Sequence, residues 1–350
     1  MGKEATHLWR ARVSTNQTKE NPHLSEFSTK HRPIIHFSFL LNQARRSSNL
    51  FQGKVVHDIV LQYGFDRDTF LVNCLIQMYG DCGCIHDAQC MFDHGSLHLN
   101  NVYSWNLLIN AYTQNGCLES ALSIFTRMPV WDVVSWNIII RGCAQNGKNK
   151  EALGLFHSMS ANGFNPNNIT FVCVLDACVK LCDLEEGMLI HNIIAQESCE
   201  RDSIVGTTLV TLYGKCKNLN CAWRAFTKIS HHNVITWTAM IGTMSQNGHP
   251  KEALSLFYKM RAKGINPNNV TFVCAIDACM LLIEGQKIHS AIVCSGLEQD
   301  VIVGTNLIHM YTKCGCLQSG FHVFYKMNHK NVVTLNAMMK ALNMSEEINK

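Results

Sequence analysis

Residues Val133–Asn167 read VVSWNIIIRGCAQNGKNKEALGLFHSMSANGFNPN, and residues Val234–Asn268 read VITWTAMIGTMSQNGHPKEALSLFYKMRAKGINPN. The two stretches start 101 positions apart and align without a gap. Self-similarity at a fixed period is the signature of stacked structural units, each of which contacts its neighbours. The repeat therefore predicts a functional surface rather than a single active-site pocket.

The period divides into segments of 35, 35 and 31 residues. Extending this register predicts an N-terminal extension over residues 1–33, nine complete units over 34–331 and a truncated tenth unit over 332–350. The units open at Ile34, Thr69, Val102, Val133, Asn168, Ser203, Val234, Asn269, Val301 and Val332. The units at 69–101 and 269–300 depart from the standard lengths. We expect both length changes in turns, where repeat arrays tolerate them.

Each unit has the pattern of a helical hairpin. In the unit at 133, Trp136, Ile139 and Ile140 follow helical spacing, and Asn146-Gly147 then ends the first helix. A second apolar stripe continues to Met159 and is followed by glycine and proline. A globular helical bundle is the competing fold, but it does not explain a register kept over some 300 residues. We therefore predict an all-α chain of stacked hairpins.

The motifs VVSWNIII, QNG, EALGLFHSM, ITFVCVLDAC and SIVGTTLVTLYGKC resemble pentatricopeptide repeats of plant organelle RNA-binding proteins. The alternation of 35, 35 and 31 residues resembles the PLS subfamily, which mixes standard, long and short repeats. The resemblance covers residues 34–350 and implies a right-handed superhelical α-solenoid. Tetratricopeptide repeats form similar hairpins, but the 31-residue unit and the SWN, DAC and YGKC signatures fit them poorly.

The resemblance also implies which side chains bind RNA. In the family, the fifth and last residues of a repeat read one base, and the second residue wedges between bases. The implied base-reading residues are Asn73, Asn101, Asn106, Asp132, Asn137, Asn167, Thr207, Asn233, Thr238, Asn268, Thr305, Asn331 and Asn336. The implied stacking residues are Phe70, Tyr103, Val134, Ile204, Ile235, Ile302 and Val333. Two alternatives stay open: the last residues could cap helices, and the second residues could belong to the core.

By the family's pairing rules, Asn with Asn or Asp favours pyrimidines, and Thr with Asn favours adenine. From the unit at 69, with the N-terminus at the 5′ end, the expected RNA is pyrimidine, U, pyrimidine, any base, A, A, any base, A, pyrimidine. The long units carry Ser38/Asp68, Val172/Asp202 and Val273/Asp300. The last two pairs depart from the rules, so we expect those units to read no base well.

The sequence does not predict an enzyme. A zinc deaminase needs His-x-Glu and Pro-Cys-x-x-Cys motifs, and the chain contains neither. We therefore expect the E and DYW C-terminal domains of the subfamily to be missing, and no catalytic residue, metal, cofactor or small-molecule substrate. The recurring His57, His191 and His289 each lie four residues after a glycine and are interpreted as packing positions.

Composition restricts partner and compartment. The net charge is +4 with a pI near 8.3, so we expect hydrogen bonds and stacking, more than charge, to select RNA. The 17 cysteines recur in register on apolar faces and are interpreted as free thiols in a reducing interior. No apolar run reaches the roughly 18 residues of a membrane span. Residues 1–33 carry the basic and hydroxyl side chains of an organelle targeting peptide, diluted by three glutamates.

We therefore expect an adaptor for editing, splicing or stabilisation of organellar single-stranded RNA, with any editing or splicing chemistry supplied in trans. The expected compartment is the mitochondrion, with the chloroplast as the alternative. A protein-binding α-solenoid scaffold and a truncated, non-functional paralogue are the other hypotheses. The chain stops within its tenth unit, which predicts a fragment or a degenerate copy.

Overall fold

The structure is a computed structural model that describes the backbone of residues 22–94 and 101–348, and the side chains of 33–94 and 101–342. Most of the segment interpreted as a targeting peptide, residues 1–33, therefore lies outside the described residues. No helix among the described residues is long and apolar enough to cross a membrane.

The described ranges contain helices and turns but no strand, which confirms the all-α class. The helices are α1 (Pro22–Arg46), α2 (Leu50–Gln62), α3 (Thr69–Asp81), α4 (Ile85–His94), α5 (Val102–Gln114), α6 (Leu118–Arg127), α7 (Val133–Gln145), α8 (Asn149–Ala161), α9 (Asn168–Leu181), α10 (Leu184–Gln196), α11 (Ser203–Lys215), α12 (Leu219–Lys228), α13 (Val234–Gln246), α14 (Pro250–Ala262), α15 (Asn269–Asp277), α16 (Leu282–Cys294), α17 (Val301–Lys313), α18 (Leu317–Lys326) and α19 (Val332–Ile348). A 3₁₀ turn spans Cys199–Arg201. Helix α1 begins at Pro22, before the expected opening at Ile34.

The hairpin of α7 and α8 shows why the repeat sequence folds this way. Trp136 and Ile140 of α7 and Phe156 of α8 are at most 3% exposed, and the two helices pack against each other. Gly147 connects the helices at φ +78°, a conformation that an L side chain rarely adopts. The periodic apolar stripe thus becomes the buried face of each hairpin, and glycine permits the sharp turn between the helices.

The chain divides into two compact units, residues 1–166 and 167–350. In the first unit, the first helices of successive hairpins, α1, α3, α5 and α7, pack one against the next. In the second unit, α9, α11, α13, α15, α17 and α19 do the same. Each second helix that is followed by another hairpin of its unit packs on its own first helix and on the next one. Each unit therefore contains a continuous layer of first helices.

An asparagine in the turn of the hairpin joins one repeat to the previous one. Asn115 Nδ2 donates to the carbonyl oxygen of Gly80 at 2.9 Å, and Asn247 Nδ2 donates to that of Gly214 at 3.0 Å. Each asparagine also donates to its own helix, at Ala111 and Thr243. These bonds satisfy carbonyl groups at helix C-termini, which have no partner within the helix. The turn residue therefore helps to fix the spacing of neighbouring first helices.

The long units use a glycine and a histidine to contact the next repeat. A Cβ at Gly53, Gly187 or Gly285 would lie 2.2–2.5 Å from a side chain of the following first helix. One helical turn later, a histidine Nδ1 lies 2.6–2.8 Å from a tyrosine hydroxyl of that helix. The pairs are His57–Tyr79, His191–Tyr213 and His289–Tyr311. These histidines therefore lie in contacts between repeats.

One length change does not lie where the sequence suggested. The repeat at 269–300 is shorter than the equivalent repeat at 168–202, and we expected the missing residues in a turn. Instead, α15 has nine residues where α9 has 14. Residues 278–281, which connect α15 to α16, are more numerous than residues 182–183, which connect α9 to α10. An extended residue advances about 3.3 Å and a helical one 1.5 Å, so unwinding the helix end compensates for the missing length. The other expected change, at Leu97–Asn101, lies almost wholly outside the described residues.

Candidate nucleic-acid interface

The second residue of every repeat is an apolar side chain that is exposed to solvent. Sequence alone could not distinguish core from surface at this position. The structure gives exposures of 54–65% for Ile35, Phe70, Tyr103 and Val134 in the first unit and for Ile169, Ile204, Ile235, Val270, Ile302 and Val333 in the second. Because the first helices pack side by side, these residues recur once per repeat along the helix layer. All except Ile35, which lies within α1, are in the first turn of their helix. Each of the two compact units, residues 1–166 and 167–350, thus carries its own row of exposed apolar residues.

Three members of this row were missed by the sequence reasoning. Ile35, Ile169 and Val270 belong to the long repeats, for which the sequence analysis assigned no stacking residue. Their exposures of 65%, 56% and 54% equal those of the expected stacking residues. Applying the same register to the long units would have found them.

The fifth residues of the repeats differ in exposure, and most are well covered. Asn73, Asn106, Asn137 and Thr305 are 5–7% exposed, Thr207 and Thr238 are half-buried, and Asn336 is exposed. Oδ1 of Asn73 and of Asn106 is buried and has no hydrogen-bond partner among the described residues. A buried amide oxygen without a partner is costly, and this cost favours an outward rotation towards any donor that a ligand offers.

The last residue of each unit caps the first helix of the next unit. A side-chain Oδ1 accepts from a backbone N–H of the first turn at 2.7–3.1 Å. The capping residues are Asp68, Asn101, Asp132, Asn167, Asp202, Asn233, Asn268, Asp300 and Asn331. The capping interpretation therefore describes these residues, including the implied base-reading ones. Capping occupies Oδ1 of each side chain, and Asp300 also accepts at Oδ2 from Asn269 Nδ2 at 3.3 Å.

The structure brings several of the implied reading pairs together. Asn106 Nδ2 donates to Asp132 Oδ1 at 3.3 Å. In the units at 234 and 301, the fifth and last residues meet through a third hydroxyl, contributed by the third residue of the following helix. Thr271 Oγ1 lies 2.6 Å from Thr238 Oγ1 and 2.8 Å from Asn268 Oδ1. In the unit at 301, Thr334 occupies the equivalent position between Thr305 and Asn331.

The third-residue hydroxyls were not expected from the sequence. Ser104, Ser135, Thr170, Thr236, Thr271 and Thr334 are all at most 1% exposed. Their signal in the sequence is a Ser or Thr three residues after six of the nine capping residues, the exceptions being Asp68, Asp202 and Asp300. That spacing is typical of a reciprocal cap, in which the two residues exchange hydrogen bonds with the backbone. Asp132 with Ser135 and Asn268 with Thr271 form such caps.

Exposed cations lie at the opposite ends of the first helices. Lys215 ends α11, Lys313 ends α17, and neither forms an ion pair among the described residues. Cations at helix C-termini interact favourably with the helix dipole, which explains the local preference. They are also available to neutralise phosphate groups.

The cysteines are free thiols in the structure. Burial raises the pKa of Cys143 to about 11 and that of Cys178 and Cys279 to about 12, so these thiols stay protonated near neutral pH. Within the side chains that the structure describes, no group of three or more His, Cys, Asp or Glu residues could hold a metal ion.

Comparisons with known proteins give the repeat type. A PPR repeat family model matches residues 131–180 and 232–280, and a PPR repeat model matches 103–133 and 305–332. The chain is 31% identical to a chloroplastic pentatricopeptide repeat-containing protein of Arabidopsis thaliana, over 82% of this chain and 32% of that protein. It is 36% identical to another pentatricopeptide repeat-containing protein of that plant, over 86% of this chain and 41% of that protein. The chain spans about a third to a half of the length of the curated relatives it matches.

The fold is similar to that of a solved structure, the maize pentatricopeptide repeat protein PPR10. The TM-score is 0.57 at 19% identity, and the match covers 97% of this chain and 51% of that one. This likeness supports a solenoid of helical hairpins. The chain therefore contains pentatricopeptide repeats.

Proposed function

We propose that this chain binds single-stranded RNA in a sequence-specific manner, one base per repeat, as an adaptor in a plant organelle. Transcript editing, splicing or stabilisation would follow from partners that act in trans. The mitochondrion is the expected compartment and the chloroplast the alternative, and import of the complete chain into each isolated organelle distinguishes them. The observation that carries the proposal is the row of exposed apolar second residues.

Such a row offers apolar contact surface to a ligand once in every repeat. Each member keeps more than half of its surface in water, and the members recur once per repeat within each unit. Unstacked bases present flat apolar faces, and stacking on protein side chains is tolerant of base identity. An apolar residue on each side of a base would cover both faces of that base. The row therefore suits single-stranded RNA, whose bases are already free to stack on protein.

The caps supply the complementary polar chemistry. Asn233, Asn268 and Asn331 present Oδ1 to the helix, which turns Nδ2 and its two protons away from it. A donor of this kind matches N1 of adenine. Asp132 also caps through Oδ1, so its outward Oδ2 is an acceptor and matches N3–H of uracil. This difference supports adenine in the Thr/Asn units and uracil in the unit at 102.

The direct test is binding of the full chain to 5′-CUCUAAUAC-3′ and to the same RNA with A and C exchanged. We expect the first RNA to bind more tightly, because each good base-edge pair contributes roughly 1–3 kcal/mol of discrimination in duplex readout. Equal affinities for the two RNAs would reject sequence-specific reading.

A pair of variants tests whether the apolar row is the binding surface. Replacing Ile204, Ile235 and Ile302 together with serine should weaken binding and leave the melting temperature nearly unchanged, because all three are exposed. The control is Leu189→Ser, which removes a 58% exposed apolar side chain from the second helix α10. Equal losses in the triple variant and the control would argue against the row as the RNA surface.

A further inference from the structure

We propose that Thr271 and Thr334, the third residues of α15 and α19, are positioning residues that sharpen base discrimination by the preceding repeats. This inference rests on the proposed RNA-binding function. Neither threonine belongs to the expected reading set, and both are fully buried. They would therefore act through the fifth and last residues, without touching the base.

The contacts form the same short chain of oxygens in two repeats. Thr238 Oγ1 donates to the carbonyl oxygen of Val234 at 2.7 Å and lies 2.6 Å from Thr271 Oγ1, which lies 2.8 Å from Asn268 Oδ1. In the next such repeat, Thr305 Oγ1 lies 2.7 Å from the carbonyl oxygen of Val301 and 2.8 Å from Thr334 Oγ1. Thr334 Oγ1 lies 3.0 Å from Asn331 Oδ1.

The hydroxyl protons available to this chain of oxygens determine which groups donate and which accept. Each threonine hydroxyl has one proton, and carbonyl and amide oxygens have none to donate. The two hydroxyl protons must therefore be shared among three short oxygen–oxygen contacts. When Thr238 donates its single hydroxyl proton to one of these oxygens, it has no proton left for a ligand. Its oxygen can then only accept a hydrogen bond from the ligand. The chain also holds Asn268 Oδ1 inward, so Nδ2 faces the ligand as a donor. The Val234 carbonyl and the backbone cap orient these two groups, and the buried Thr271 hydroxyl adds a contact to each that restricts their rotation.

The unit at 203 lacks this link and serves as a natural comparison. Its Thr207 hydroxyl donates to the carbonyl oxygen of Ser203 at 2.5 Å. The third residue of the following helix, Thr236, donates to the carbonyl oxygen of Asn233 at 2.8 Å instead of reaching Thr207. The fifth and last residues of this unit are of the same types, Thr and Asn. It is therefore expected to discriminate less sharply than the units at 234 and 301.

The test uses the full chain and 5′-CUCUAAUAC-3′ with A or C at the fifth nucleotide, assigned to the unit at 203, or at the sixth, assigned to the unit at 234. Thr271→Val keeps the side-chain shape and removes the hydroxyl. We expect it to reduce the A-over-C preference at the sixth nucleotide by about 2- to 10-fold, the effect of a single hydrogen bond. Thr271→Ser, which restores the hydroxyl, should keep the preference. Thr236→Val should leave the preference at the fifth nucleotide unchanged.

The outcomes separate this inference from the proposed function. Thr238→Asn alters the reading residue itself and should move the sixth-nucleotide preference from A towards a pyrimidine. If it does so while Thr271→Val retains the A-over-C ratio, the positioning role is wrong and the reading pair stands. If Thr236→Val lowers the ratio at the fifth nucleotide as much as Thr271→Val does at the sixth, the effect is loss of a cap, and the inference also fails. No response to Thr238→Asn, or no RNA binding at all, overturns the reading pair and the inference with it.

Discussion

Asn106 donates a hydrogen bond from Nδ2 to Asp132 Oδ1 at 3.3 Å, although the two residues are 26 positions apart, in the first helix and at the end of the same repeat. Asp132 Oδ1 also accepts from the backbone N–H of Ser135 at 2.7 Å and so caps α7. One carboxylate oxygen thus joins two neighbouring helices, and Oδ2 has no partner among the described residues. The reading pair of this repeat is therefore partly organised before any ligand binds.

Changing Asp132 to Asn should change the base preference without removing the cap. The amide Oδ1 can accept the same backbone hydrogen bond, and aspartate and asparagine are about equally good caps. The outward acceptor becomes a donor, which matches N3 of cytosine better than N3–H of uracil. We expect the preference at the second nucleotide of 5′-CUCUAAUAC-3′ to move from U towards C, measured by fluorescence anisotropy. Asp202→Asn, in a long unit expected to read no base well, is the matched control.

An unchanged U-to-C ratio in Asp132→Asn would contradict the assigned pair. A loss of affinity that is equal for both RNAs would indicate damage to the helix cap. The melting temperature of each variant separates these cases, because substitution of one capping residue by another should cost little stability.

Tyr103 is, with Phe70, one of the two aromatic members of the apolar row, and it is 57% exposed. Tyr103→Ala should weaken RNA binding by roughly 1–3 kcal/mol, the usual contribution of an aromatic side chain stacked on a base. Its stability should change by no more than about 0.5 kcal/mol, as for most surface substitutions. Tyr325→Ala is the control, because Tyr325 is 75% exposed on the second helix α18. Equal affinities of Tyr103→Ala and the unmutated chain would remove Tyr103 from the binding surface.

The sequence predicted the all-α class and the hairpin pattern because both depend on local signals. An apolar stripe, an Asn-Gly turn and a terminal Gly and Pro act within one hairpin, and the hairpin then recurs. The same reasoning could not decide whether Ile235 belongs to the core. An isoleucine in the first turn of a helix is compatible with either side, and its 62% exposure depends on how the neighbouring helix packs.

The polar network was also beyond reach of the sequence. The distance of 2.6 Å between Thr238 and Thr271 depends on the separation of two helices whose residues are 33 positions apart. The unit at 203 carries the same residue types and forms no such link. Residue type at a register position therefore predicted the participants only in part, and helix spacing determined which of them meet.

The histidines between repeats predict a loss of stability in mild acid. Burial is the largest cause that lowers the pKa of His289, and His322 and Lys326 lower it further while Glu298 opposes them. The folded state thus favours neutral His289, which stabilises the fold above the unfolded pKa of about 6.5. This contribution is lost as the pH falls from there through the folded pKa. Denaturant unfolding between pH 7.5 and 5 should therefore show decreasing stability.

His289→Asn should make this pH dependence shallower, because one group that resists protonation is removed. His231→Asn, at an exposed position outside the His289–Tyr311 contact, is the control substitution. A slope that is identical in His289→Asn and the unmutated chain would show that the His289–Tyr311 contact does not contribute to acid sensitivity.

Two helical glycines of the compact unit 1–166 should have opposite effects on stability when replaced by alanine. At Gly80 in α3, a new Cβ would lie 2.6 Å from Ala111 Cβ and 3.3 Å from its Cα, and neither atom can rotate away. Gly80→Ala should therefore push α3 and α5 apart and cost about 1–3 kcal/mol, as overpacked sites do. At Gly154 in α8, nothing lies within 4 Å, so Gly154→Ala should stabilise by about 0.5–1 kcal/mol through helix propensity. Urea unfolding measures both, and a Gly80→Ala chain as stable as Gly154→Ala would refute the close approach of the first helices.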